Sequence, residues 1–290
     1  MKKILVFVNP HARQGAGFGE EIKEWLRTEG FDVLDSSFES KKEGICDVIL
    51  RYRADAPIVL LGGGDGTVNE ALPGVLEVGN PVLLISLGTA NNLARTLQIP
   101  GDYKVALELI KSGRLTEIDI GLVNKIPFVN VIGLGLSTQV NRLVRKESKK
   151  WFGVFAFIMM ALKVALRMTP FHVKIETDGK IHKAYSWQVT ICNGRNYGSG
   201  LTIHEEATLR DQKLHGLSTE VRRWWHTYWL IPALLTGRFK AQDDVTVLEG
   251  SQMTVKTRFS MHVDIDGDIK TRTPLSISVL PKAMRIYIPS

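Results

Sequence analysis

The chain has 290 residues, 44% of them hydrophobic and 23% charged, the composition of a folded soluble protein with one large or two ordinary domains and ample chain for a core. Its 37 basic and 30 acidic residues leave a formal charge of +7, which favours anionic partners and leaves nucleic acid, an acidic membrane surface and phosphorylated metabolites all open. Cys46 and Cys192 stand far apart and match no metal-ligand or redox spacing, which argues against a disulfide framework or a zinc site and fits a reducing cytoplasm.

Met1-Lys2-Lys3 followed by Ile4–Val8 imitates a secretory leader, but Asn9-Pro10 cuts the apolar run short, so it reads as a first strand. Phe18–Arg27 reads as a helix with Ile22, Trp25 and Leu26 on one face, and Phe31–Ser36 as a second strand. Lys42–Arg53 follows as a helix carrying Ile45, Val48, Ile49 and Tyr52 at helical spacing. Ile58–Leu61 is an apolar run bounded by glycine, as a buried parallel strand should be. A helix, the strand Val82–Ser86 and the helical stretches Asn91–Leu97 and Tyr103–Lys111 continue the alternation. This rhythm predicts an α/β domain over residues 1–122, with a parallel sheet whose ligands sit beyond the carboxyl ends of its strands.

Three of those ends carry similar loops. Gly62, Gly63, Gly64 and Gly66 let the backbone approach a ligand closely, and Thr67 is placed to cap a helix whose free N–H groups and dipole attract an anion. Asp65 is anomalous there, because a carboxylate beside a phosphate repels it unless a metal intervenes, so it reads as metal-linked or phosphate-orienting. Asn9-Pro10 with Arg13 follows the first strand, and Gly88-Thr89-Ala90-Asn91 the fourth. Each taken singly suits an ordinary turn or a capped helix start; together they offer amides, hydroxyls and, in Arg13, a phosphate-pairing cation.

From Leu115 the texture changes. Short, partly alternating runs at Glu117–Asn124, Phe128–Gly133, His172–Thr177, Tyr185–Cys192, Gly216–Val221, Val245–Leu248, Met253–Lys256, Met261–Ile265, Leu275–Val279 and Met284–Ile288 predict an antiparallel β-sandwich over residues 123–290, with helical insertions. One insertion runs from a basic edge (Arg142, Arg145, Lys146, Lys149, Lys150) into the uncharged Trp151–Leu162, too short to cross a bilayer but suited either to the core or to an anionic lipid surface. The other, Arg222–Leu230, holds Trp224, Trp225, Tyr228 and Trp229 beside arginines, which suits the core or a membrane interface. No nucleic-acid motif accompanies these aromatics, so no nucleic-acid partner is expected.

Gly63-Gly64-Asp65-Gly66-Thr67-Val68-Asn69-Glu70 resembles the nucleotide-binding signature of the diacylglycerol kinase family, which includes bacterial lipid kinases and the sphingosine and ceramide kinases. Asn9-Pro10 with Arg13 is similar to the family's opening motif, and Leu87–Ala94 to its Leu-Gly-Thr-x-Asn motif. The resemblance implies ATP as donor, Mg²⁺ bound with ATP near Asp65, and nucleotide contacts from Asn9, Pro10, Arg13, Gly63, Gly64, Asp65, Gly66, Thr67, Asn69, Glu70, Gly88, Thr89 and Asn91, with Ser37 as a further hydroxyl contact. The segment Asn193–Asp211 is similar to the loop that leads to an Asp-Gly turn, although Glu205 replaces a proline and Gln212 the glycine. In bacterial members that turn can hold a structural Mg²⁺, which would fall here to Asp211 and the carbonyls of Thr208 and Lys213.

Asp264-Ile265-Asp266-Gly267-Asp268 reads by itself as a hairpin turn. It also resembles the family's Asp-Gly-Glu motif, which would make Asp266 the base for the acceptor hydroxyl in a cleft between domains. The implied function is an ATP-dependent lipid kinase in the cytoplasm, peripheral at the inner face of the membrane, for which a homodimer is open. A kinase of a soluble acceptor, of NAD-kinase type, and a non-catalytic nucleotide-binding regulator are the alternatives.

Overall fold

The computed structural model describes residues 2–12, 15–36, 43–139, 169–194, 207–220 and 245–290. Arg13, Ser37 and both aromatic insertions, 141–162 and 222–230, lie outside them. Among the described residues no helix is long and apolar enough to cross a membrane.

The chain divides into two compact units, Met1–Ile120 with Leu280–Ser290, and Gly121–Val279. The last segment therefore departs from the sequence reading, which gave all of residues 123–290 to the second domain. Its cause is the strand β16 (Leu275–Ile288), whose far half pairs in parallel with β4 (Val82–Ser86) through Ile286 and Val82. Met284, Ile286 and Ile288 are buried by that pairing.

In the first unit β1 (Lys2–Val8) lies between β2 (Phe31–Asp35) and β3 (Val59–Gly63), and β4 follows β3; these pairs are all parallel. The order β2-β1-β3-β4-β16 reverses direction at β1. Such a reversal opens a crevice beyond the carboxyl ends of the two strands that flank it, here β1 and β3. The strands are continuous apolar runs because helices cover them: β3 and β4 are buried at every residue. Helix α1 (Gly15–Thr28) buries Ile22 and Leu26, and its buried Lys23 donates to Asp35 at 2.7 Å and to Glu20. Helices α2 (Ile45–Arg51), α3 (Asp65–Val78), α4 (Asn92–Thr96) and α5 (Tyr103–Ser112) complete the unit. At Gly74 of α3 a Cβ would stand 2.9 Å from the Cys46 carbonyl, so that glycine sets the approach of α2 to α3.

The second unit is a sandwich of antiparallel sheets. One runs from the first half of β16 through β13 (Gln252–Thr257) and β8 (Phe171–Thr177) to β9 (Lys180–Ser186). The other has the order β12 (Val245–Gly250), β11 (Leu214–Thr219), β10 (Gln188–Asn193), β7 (Val131–Gly135), β14 (His262–Ile265) and β15 (Asp268–Arg272). Val173, Ile175, Val255 and Ile277 from the first meet Ile132, Leu134, Ile191 and Val263 from the second in one buried cluster. The sequence reading made Tyr185–Cys192 a single strand. The chain instead changes sheets at Trp187, where the Ser186 hydroxyl donates to the carbonyls of Gln188 and Thr219 at 2.9 Å each. Two further strands, β5 (Arg114–Val123) and β6 (Ile126–Phe128), form a hairpin whose tight turn places Asn124 and Lys125 at positive φ.

Candidate active site

The first two loops meet at the β1–β3 crevice. The Asn9 N–H donates to the Gly62 carbonyl at 2.8 Å, and its Nδ2 donates to the Thr67 hydroxyl at 3.0 Å. The Asn9 Oδ1 accepts the His11 N–H at 2.9 Å, which folds the Pro10 turn. Helix α3 begins three residues earlier than the sequence suggested: its N-cap is Gly64, and no side chain caps it. Thr67 is therefore buried inside the first turn, its N–H bonded to the Gly64 carbonyl at 3.0 Å and its hydroxyl held by Asn9. The first-turn amides of Asp65 and Gly66 have no intrahelical acceptor, as in any helix start.

The glycines have different reasons. A Cβ on Gly63 would lie 2.3 Å from the Thr67 hydroxyl, and one on Gly88 would lie 2.6 Å from the Gly64 Cα. Those three let the β3 and β4 loops cross. Gly66 is exposed, and a Cβ there would meet nothing within 4 Å, so its bareness serves only what approaches from outside. Asn91 adopts φ 50 and closes the β4 loop on itself, accepting the Gly88 N–H at 3.1 Å and donating to the Gly88 carbonyl at 3.0 Å. Thr89 and Glu70 are exposed at the rim.

Asp65 ties the two loops together. Its carboxylate accepts the Asn92 N–H at 3.0 Å, the Asn92 Nδ2 at 3.3 Å and the Leu93 N–H at 3.2 Å. Asn69, one turn along α3, is 8% exposed, and neither atom of its amide has a hydrogen-bond partner. Ser86, at the end of β4, is equally buried with an unpartnered hydroxyl. It lines a small cavity of about 10 Å³, room for about one water, with Gly63, Gly64, Asp65, Asn91 and Ala94. Orphaned buried polar atoms are costly and rare, and two beside an open helix N-terminus fit a polyphosphate group. Sequence reasoning had no signal for Ser86, since a serine ending an apolar strand is unremarkable. The larger open depression of about 500 Å³ between α1 and α5 is lined by Trp25, Tyr103, Lys104 and the carboxylates of Glu21 and Glu108, two acidic groups against one basic.

In the second unit Asp266 and Gly267 form the two-residue loop between β14 and β15, with φ 49 and 92. Positive φ at both positions is the type I′ hairpin turn. The Asp266 carboxylate accepts three backbone N–H groups: Val129 at 2.8 Å, Asn130 at 3.0 Å and Val131 at 2.7 Å. Asp264 is buried and its carboxylate accepts the Gly267 N–H at 2.9 Å. Near by, burial, followed by the charge of Asp266, pushes the Cys192 thiol well above its usual range.

Asp211 sits in the turn before β11. Its Oδ2 accepts the Thr208 N–H at 2.9 Å and faces His215 Nε2 at 3.0 Å, while its Oδ1 accepts the Lys213 N–H at 2.9 Å. Burial pushes this carboxyl up, but the His215 bond and then the two amides outweigh it, so the group is held below its ordinary value. Gln212 takes φ 58, the left-handed conformation that a glycine would adopt more cheaply. Thr208 and Lys213 thus offer N–H groups to Asp211, and with His215 three of its lone-pair directions are taken by donors, which leaves the carboxylate little room for a Mg²⁺ ion. Among the described residues no three His, Cys, Asp or Glu side chains group as metal ligands.

Comparison with known proteins matches two family models in order, the second of which takes in residues 280–288, placed by their contacts in the first unit. Residues 3–123 match the diacylglycerol kinase catalytic domain, and residues 130–288 match the YegS C-terminal NAD kinase beta sandwich-like domain. A Staphylococcus epidermidis protein named "putative lipid kinase" is 30% identical over 247 residues, covering 81% of this chain and 78% of its own. A Staphylococcus aureus protein of similar name is 28% identical over 246 residues, with the same coverage. The fold is that of a crystal structure titled as a "putative diacylglycerol kinase" from Bacillus anthracis, with TM-score 0.79, 22% identity and 99% and 97% of the two chains covered. A second Bacillus anthracis structure, titled as a diacylglycerol kinase, aligns with TM-score 0.75 at 20% identity over 99% and 97% of the chains. With both domain models matched in order and these relatives spanning most of the chain, the protein belongs to the diacylglycerol kinase family of lipid kinases.

Proposed function

We propose that the chain transfers the γ-phosphoryl group of ATP to the hydroxyl of a membrane lipid, such as a diacylglycerol or a sphingoid base. The observation that carries this reading is the start of α3. Free first-turn amides and an exposed glycine with open space where a side chain would be stand at one helix N-terminus, with the unpartnered Asn69 amide buried one turn along, and such a helix start attracts phosphate. Phosphoryl transfer asks the protein mainly for positioning and charge neutralisation. The amides of Asp65 and Gly66 would hold phosphate oxygens, with Thr89 and Asn91 at the rim. Asp65, already satisfied by Asn92 and Leu93, would fix the shape of the cradle and face the Mg²⁺ that accompanies ATP. Mg²⁺ supplies screening of the phosphate charge.

Asp266 is assigned to the acceptor. Three backbone N–H groups immobilise its carboxylate, which would orient a lipid hydroxyl and receive its proton late in the transfer. A peripheral position on an anionic membrane is part of the proposal and rests on the lipid acceptor and the formal charge of +7. The test is ATP consumption by the purified protein against diacylglycerol, sphingoid base, ceramide, NAD and no acceptor. Turnover with a lipid alcohol alone is the expected result. Turnover with NAD would assign a soluble acceptor, and ATP binding with no turnover on any acceptor would make the chain a nucleotide-binding regulator.

A further inference from the structure

The turn that runs from Thr208 into β11 is built differently from the metal-holding turn that the family resemblance implies. We propose that His215 takes the place of the bound cation there, so that this chain closes the turn without a metal. The inference stands apart from the kinase reading.

A carboxylate has about four in-plane lone-pair positions. Three of Asp211's are filled, by the N–H groups of Thr208 and Lys213 and by His215 Nε2. Against a carboxylate the Nε2 atom carries a proton, so an N–H donor occupies the position on Oδ2 that a cation would take. Mg²⁺ binds oxygen at about 2.0–2.1 Å in near-octahedral geometry. An ion on Oδ2 would therefore collide with an imidazole that stands 3.0 Å away.

His215 cannot swing aside. It is 3% exposed and lies on β11, paired with Cys192 of β10 on one side and Glu249 of β12 on the other. Lys213 Nζ lies 3.2 Å from Glu249 on the neighbouring strand β12. Gln212 in the left-handed conformation preserves the path of the backbone, so the turn keeps its shape with its carboxylate satisfied from within.

The experiment is thermal unfolding without nucleotide, in EDTA and in millimolar Mg²⁺ or Ca²⁺, of the wild type, His215→Gln, His215→Ala and Asp211→Asn. The wild type should melt at the same temperature, within about 1 °C, with and without the ions, since an ion that does not bind the folded state cannot stabilise it. His215→Gln keeps a side-chain N–H donor and should stay close to the wild type, also indifferent to the ions. His215→Ala should melt about 5 °C lower in EDTA, the scale of one lost charge-assisted bond, and recover part of that loss when Mg²⁺ enters the vacated position. A wild-type melting temperature that rises with Mg²⁺, with the rise absent in Asp211→Asn, would overturn the proposal. So would a His215→Ala protein as stable as the wild type in EDTA, or one that stays low in both ions.

Discussion

Replacing Asp266 with asparagine removes one oxygen from a carboxylate that three amides share. Val129 donates to Oδ2 at 2.8 Å; Asn130 and Val131 donate to Oδ1 at 3.0 and 2.7 Å. The asparagine oxygen can keep the second pair, but its NH₂ then faces the Val129 N–H, donor against donor. The backbone itself is not strained further, because asparagine tolerates the left-handed φ of 49 well. A hydrogen bond to a charged acceptor contributes about 1.5–3 kcal/mol and a stranded buried donor costs about 1–3 kcal/mol. The expected loss is about 2–4 kcal/mol, or about 5–10 °C in melting temperature for a unit of this size. Turnover should fall about 10²–10⁴-fold if the carboxylate also receives the hydroxyl proton. Calorimetry reads the first effect, and steady-state kinase assay well below the variant's transition reads the second. A melting temperature within about 1 °C of wild type would refute the structural account of the carboxylate. Near-normal turnover would remove Asp266 from the chemistry.

Gly66→Ala should leave the melting temperature nearly unchanged, because its Cβ meets nothing, and weaken ATP binding at least tenfold by calorimetric titration; unaltered ATP affinity would move the phosphate site elsewhere. Gly88→Ala should cost about 1–3 kcal/mol of stability, since its Cβ lands 2.6 Å from the Gly64 Cα, and equal stability of the Gly66 and Gly88 variants would contradict the loop crossing. Lys23 is buried, which lowers its pKa, but bonds to Asp35 and then Glu20 raise it further, above the usual 10.5. Its stabilising share is therefore complete below that value and is lost as pH rises through the folded-state pKa. Melting curves between pH 9 and about 12 should fall more steeply for the wild type than for Lys23→Met, and parallel curves would show that the contact with Asp35 carries no charge.

The parts legible in the sequence are those where one local cause dominates. Ile4–Val8, Ile58–Leu61 and Val82–Ser86 are apolar without interruption because both faces are covered, and the Asp266-Gly267 pair marks its own turn. The departures come from partners remote in the chain. Thr67 looks like a helix cap until Asn9, remote in sequence, takes its hydroxyl. Lys180–Ser186 alternates charge and bulk without a clear apolar face, since β9 pairs only along β8 and leaves Ile181 and Tyr185 exposed. The second half of β16 shows the same alternation as the first, and it is remote partners, Val82 beside Ile286, the Gly79 carbonyl for Arg285 and Asp119 for the Lys282 N–H, that assign it to the other unit. His215 follows an Asp-x-Lys pattern that says nothing of an imidazole turned back on the aspartate.

The three aspartates that sequence motifs single out share a property that no motif states: each is held by backbone amides. Asp65 takes N–H groups from Asn92 and Leu93, Asp211 from Thr208 and Lys213, and Asp266 from Val129, Asn130 and Val131. Each carboxylate therefore fixes a loop whatever else it does, and removing any one leaves amides without acceptors. Loss of activity in an aspartate variant is then weak evidence for a chemical role, because the loop would shift as well. Gly66 has no such second duty: it touches nothing, bonds nothing through a side chain, and stands at the open helix start. A Cβ added there changes the approach of a ligand and little besides. The phosphate cradle is thus better tested at its emptiest residue than at its charged one.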